Sequence, residues 1–169
     1  MNNTIKLYNL QFNSVKTYVF TLAFVVGNLL LPQLAHLIPN GGPTLLPIYF
    51  FTLIAAYKYG IRAGLLTAVL SPIINSLLFG MPAIQVLPVI LIKSTLLATF
   101  AAVLAQRTGK INIMILSVVV LSYQIIGSFF EWLLSTSFTL ALQDFRIGFP
   151  GMILQILGGF IVLKLLAKR

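Results

Sequence analysis

The chain has 169 residues, 59% of them hydrophobic and 8% charged, with only two acidic side chains and a net charge of +9. A soluble domain of this size carries roughly a quarter of its residues as charges, so this composition excludes a water-exposed globule and places the chain in lipid. Cysteine is absent, which excludes disulfides, thiolate metal sites and cysteine nucleophiles.

The positive charge does not indicate nucleic acid. A nucleic-acid reader gathers Lys and Arg into a patch, whereas here they stand singly or in pairs between apolar runs. That is the pattern of a topology signal. Residues 1–169 are read as one membrane domain, because no polar stretch is long enough for a second.

A helix needs about 20 apolar residues to cross hydrocarbon. Residues 1–11 are polar, and the apolar run at 17–38 is too long for a signal-peptide core and has no small-residue cleavage site, so it is read as a retained helix. Runs at 44–57 and 63–79 follow, divided by Lys58-Tyr59-Gly60-Ile61-Arg62. Further runs at 86–106, 111–134 and 148–166 make six expected spans in an all-α bundle. The second and third are short, and a four- or five-span chain with a re-entrant piece is the competing reading.

Cytoplasmic loops retain positive residues. With the amino terminus inside, Lys6, Lys16, Lys58, Arg62, Arg107, Lys110, Lys164, Lys168 and Arg169 fall on the cytoplasmic side and only Arg146 outside. Both termini are therefore expected in the cytoplasm, with loops near 39–43, 80–85 and 135–147 outside. Gly42-Pro43, Gly80-Met81-Pro82 and Gly148-Phe149-Pro150 precede the three helices that re-enter from outside. Proline suits a first helical turn, so these are either simple punctuation or three helix N-termini converging on a pocket for an anionic group.

Polar side chains are costly in hydrocarbon, so their depth and face are informative. Lys93 is expected about ten residues into its helix, roughly 15 Å deep. Gln124, Ser128, Glu131 and Ser135 share one face of the fifth span; Gly64, Ala68, Ser71 and Asn75 share one of the third; Gly148, Gly151 and Gln155 share one of the sixth. The expected binding set is Lys93, Glu131, Asn75, Gln124, Ser128, Gln155 and Arg146, around a cavity open to the outside. The plainer reading pairs Lys93 with Glu131 for neutrality and uses the amides as interhelical hydrogen bonds. Asp144 and Arg146 are read as loop charges that either stay solvated or close over a ligand. Tyr123, Trp132 and Phe149 are candidates for stacking on a ring, or for the interfacial belt.

Catalytic groups are scarce. His36 is the one histidine and Glu131 and Asp144 the only carboxylates, so no catalytic residues, metal ligands or cofactor are assigned. No phosphate-binding Gly-x-x-x-x-Gly-Lys-Ser/Thr loop is present. Uphill transport would take its energy from an ion gradient or from partner subunits.

Ser71-Pro72, Leu77-Leu78-Phe79-Gly80-Met81-Pro82 and Leu87-Pro88 resemble the substrate-binding S components of energy-coupling factor transporters, the prokaryotic vitamin importers. The resemblance implies a bacterial cytoplasmic-membrane protein that takes a vitamin-like substrate from outside. It also implies partnership with a transmembrane coupling subunit and two cytoplasmic ATPase subunits. Small residues spaced by four on the first helix contact the coupling subunit in that family, and Ala23 and Gly27 match that spacing; close packing of small residues within the bilayer explains them equally. Where several relatives are expected to carry a glutamate after the Leu-Pro, this chain has Lys93, which points to an anionic or zwitterionic ligand, with Glu131 receiving an amine or hydroxyl. The competing functions are a structural membrane protein of the cell-wall elongation machinery and a stand-alone small-solute carrier.

Overall fold

The computed structural model describes residues 7–167; Lys6, Lys168 and Arg169 lie outside the described residues. Among the described residues the chain is all-helical. Five helices are long and apolar enough to cross a membrane: α1 (Val15–Ala35), α4 (Ile61–Phe79), α5 (Leu87–Thr108), α6 (Ile113–Ser135) and α9 (Phe149–Ala167). Between them lie four shorter helices: α2 (Gly41–Leu45), α3 (Phe50–Tyr59), α7 (Phe138–Ala141) and α8 (Gln143–Arg146). Outward faces are apolar throughout, with Leu22, Val26 and Leu30 on α1, Ile125, Phe129 and Leu133 on α6, and Ile161 and Leu165 on α9 exposed. Such a surface suits acyl chains and makes this a multi-pass membrane protein.

The run expected as a helix over 44–57 is broken. Leu46 adopts a left-handed conformation with φ 47°, and Pro47 starts a single 3₁₀ turn, Pro47–Tyr49, before α3. Ten residues of α3 extend about 15 Å, half the hydrocarbon thickness. A helix this short is tolerated because protein encloses it: it packs against α1, α4, α5 and α9, and nine of its ten residues, all but Phe51, are buried. Non-helical backbone at membrane depth is viable when protein encloses it.

Its start leaves one donor unsatisfied, and α1 supplies the partner. The Phe50 N–H bonds the Pro47 carbonyl, which an α-helix would have given to Phe51. Asn28 Oδ1 accepts the Phe51 N–H instead, at 3.1 Å. The same side chain donates through Nδ2 to Thr52 Oγ1 at 3.0 Å and Ser71 Oγ at 3.1 Å, and the backbone carbonyl of Asn28 accepts from Asn75 Nδ2 at 2.8 Å. This buried knot fixes α1, α3 and α4 relative to one another.

The α3–α4 hairpin turns at Gly60, with φ 95°. Gly64, Ala68, Ser71 and Asn75 form the buried face of α4, and Ala98, Ala101, Ala102 and Ala105 do the same on α5. Small residues let the backbones approach closely where no hydrophobic drive exists between helices in lipid.

The two ends of the bundle differ in charge. At one end Tyr8 N–H bonds the Lys58 carbonyl at 2.9 Å, and Leu10 N–H that of Tyr59 at 3.2 Å. Arg62 reaches the Leu10 carbonyl, the Tyr57 hydroxyl bonds the Lys110 carbonyl at 2.5 Å, and Leu166 shares a cleft with Tyr8, Lys16 and Lys58. The amino-terminal segment, the α3–α4 turn, the α5–α6 turn and the last turn of α9 therefore gather there with their lysines and arginines. The opposite end holds α2, the 80–86 turn, α7 and α8.

Candidate substrate cavity

At that opposite end a cavity of about 370 Å³ opens between α1, α2, the 80–86 turn, α5, α6 and α8. Its wall is mostly apolar, including Pro32, Leu46, Ile48, Met81, Val89 and Ile90, and its ionisable groups are His36, Tyr49, Lys93, Glu131 and Asp144. Volume and lining are those of a small-molecule site.

Lys93 forms the polar centre. Its side chain is 2% exposed, and Nζ lies 2.5 Å from Glu131 Oε2 and 2.7 Å from Asp144 Oδ2. The helix α5 begins at Leu87, so Lys93 stands six residues in, about 9 Å at the helical rise; the 15 Å expected depth is corrected, because residues 82–86 are turn rather than helix. Gly127 makes the Lys93–Glu131 contact possible. A Cβ there would come 2.5 Å from Lys93 Cγ, so the lysine stem crosses α6 over this glycine and meets Glu131 one turn further on. Asp144 arrives from the other direction, on α8. Both carboxylates of the chain thus converge on one ammonium. Its charge is already matched, so an anionic ligand no longer follows from Lys93.

The other expected site residues lie elsewhere. Asn75 belongs to the Asn28 knot. Gln124 Nε2 donates to the Tyr123 hydroxyl at 3.2 Å, which donates to Gln155 Oε1 at 2.9 Å, and Gln155 lies in a π-helical stretch of α9, Leu154–Gly158. These amides stand one layer behind the wall, since the Tyr123 ring packs on that of Tyr49, centroids 5.5 Å apart, and Tyr49 faces the cavity. Their place is that of support for Tyr49. Ser128 is buried and makes no hydrogen bond among the described residues, and Arg146 is exposed outside the cavity lining. Tyr123 is fully buried, while Trp132 and Phe149 are exposed, so none of the three lines the cavity. Gly27 faces the Phe51 ring within its own chain, whereas Ala23 is exposed.

Two of the three Gly-Pro turns line the cavity, through Gly42, Pro43, Met81 and Pro82. The third borders it, with Gly148 against Leu46 and the Asp144 backbone. Of the two readings of these turns, punctuation suits the first two better: α2 has only five residues, and Pro82 precedes the start of α5 by five positions instead of lying in its first turn. Tyr49 and Gly127 escaped the sequence reading, and His36 was weighed there only as a metal ligand or catalytic group. Only Gly127 carried a signal, lying four residues before Glu131 on the same helical face.

Searches against protein-family models, curated proteins and solved structures find no match.

Proposed function

We propose that the protein captures a small solute from the non-cytoplasmic side of a bacterial cytoplasmic membrane, as the substrate-binding subunit of an importer of the energy-coupling factor type. In this reading the chain crosses six times, the broken segment 41–59 making the second passage, with both termini in the cytoplasm. The observation that carries the proposal is the position of the cavity: it opens at the end opposite Lys16, Lys58, Arg62, Arg107 and Lys110, and the positive-inside rule turns that end outward.

Energy comes from partner subunits. Both carboxylates stand on Lys93, which leaves no acidic group to hold the magnesium of a bound nucleotide; the resemblance to the energy-coupling factor S components assigns ATP hydrolysis to two cytoplasmic ATPase subunits joined through a transmembrane coupling subunit. The exposed face of α1 carrying Ala23 is offered to that subunit, and Gly27 contributes from beneath by holding Phe51.

Mass spectrometry of the full chain purified in mild detergent tests solute capture. The wild-type protein is expected to release a small molecule in near-stoichiometric amount, and Ile90→Trp, which fills the cavity, to release at least ten-fold less while eluting as the same folded species. Equal release from both proteins, or none from the wild type, contradicts the reading.

A further inference from the structure

We infer that the solute held in this cavity carries a cationic head, an ammonium or amidinium group, on an apolar body. The inference rests on the solute-capture reading and gives it a charge class.

The ionisable cluster contains one ammonium and two carboxylates in direct contact, a net charge of −1 when all three are ionised. The distribution of exposure sharpens this. Lys93 is 2% exposed, whereas the Glu131 and Asp144 side chains are 20% and 17% exposed, so an entering molecule meets carboxylate before ammonium. Each carboxylate spends one oxygen on Lys93, Oε2 of Glu131 and Oδ2 of Asp144. Among the described residues no hydrogen bond engages the second oxygen of either. Those two oxygens are not committed to the protein, and the strongest partners for a carboxylate oxygen are charged N–H groups.

Other groups on the wall agree with a cation. Tyr49 presents an aromatic ring, which attracts a cation electrostatically. The remaining lining is largely Pro, Leu, Ile, Val and Met, a surface for an apolar body and not for a second charge. An anion would be opposed by two carboxylates and offered a buried, already paired lysine and the His36 imidazole on the cavity wall. The role left to Lys93 is to hold side by side two like charges that would otherwise repel.

The test uses the full chain in detergent and a water-soluble extract of rich growth medium, separated at pH 7 into fractions retained by a cation exchanger, retained by an anion exchanger, and retained by neither. Thermal stabilisation is expected from the cation-exchanger fraction. Glu131→Gln/Asp144→Asn leaves Lys93 as the only charge of the cluster; it is expected to need at least ten-fold more of that fraction and to respond instead to the anionic one. Thr99→Ala, exposed on α5 and outside the cavity lining, is expected to behave as wild type. A wild-type response to the anionic or neutral fraction alone overturns the charge class while solute capture stands. No response to any fraction overturns both. If the double variant does not fold, the wild-type comparison of fractions decides alone.

Discussion

Lys93→Met is expected to destabilise the folded chain by about 3–5 kcal/mol, the cost of removing one partner from a buried ion pair. The methionine stem fills the space of the lysine stem and still passes over Gly127. What disappears is the ammonium 2.5 Å from Glu131 and 2.7 Å from Asp144, leaving two carboxylates in contact with no cation. Neutralising all three is a different operation. Lys93→Met/Glu131→Gln/Asp144→Asn is expected to recover stability to within about 1 kcal/mol of wild type, because removing a whole buried cluster is commonly neutral. Reversible unfolding in mixed micelles measures both. Equal losses in the single and triple variants would mean that packing, not charge, dominates at this position. Recovery in the triple variant would show that the cluster adds little to stability, as the solute-binding proposal expects.

Gly64→Leu is expected to separate α3 from α4 and cost about 2–3 kcal/mol, toward the upper end of overpacking penalties. A Cβ at Gly64 would come 2.7 Å from the Ala56 Cα and 3.2 Å from its nitrogen. Those are backbone atoms of a helix with no freedom to retreat, because α3 is enclosed by α1, α4, α5 and α9. Displacing α3 also strains the Asn28 bond to the Phe51 N–H. The same micelle unfolding experiment reads the loss. Gly80→Ala is the comparison: an added Cβ there meets nothing within 4 Å, and its only penalty is φ 66°. A Gly64 variant no less stable than the Gly80 variant would show that α3 is not held as tightly as its burial implies.

The long helices were legible because hydropathy over twenty residues is a strong signal, and the expected 63–79, 86–106 and 111–134 fall within a few residues of α4, α5 and α6. The segment 44–57 was legible only as short, which raised a re-entrant piece as the competing reading; the break itself rests on Leu46 in a left-handed conformation, which leucine does not advertise. Pro47 was visible, but proline also opens helices. Lys93 with Glu131 was legible as opposite charges at similar depth. Asp144 was harder: it follows the end of α6 in a segment whose two short helices bring it back over the bundle, and nothing local in the sequence sets that return. Asn75, Gln124 and Gln155 were correctly read as inward polar residues. Periodicity gives a face and not a neighbour, so it did not separate a cavity wall from the layer behind it. Trp132 and Phe149 turn outward, as the interfacial-belt alternative has it, while Tyr49, which lines the cavity, owes its place to the break at Leu46.

The proposed importer requires that the Lys93 cavity open to the outside of the cell. The chain has no cysteine, so single cysteines can be read against no background with a membrane-impermeant maleimide on intact cells. Val89→Cys, in the cavity wall, is expected to be labelled from outside, and Thr108→Cys, exposed at the basic end, only after the cells are permeabilised. Labelling of Thr108→Cys on intact cells with Val89→Cys protected until permeabilisation would put the cavity in the cytoplasm and contradict the account.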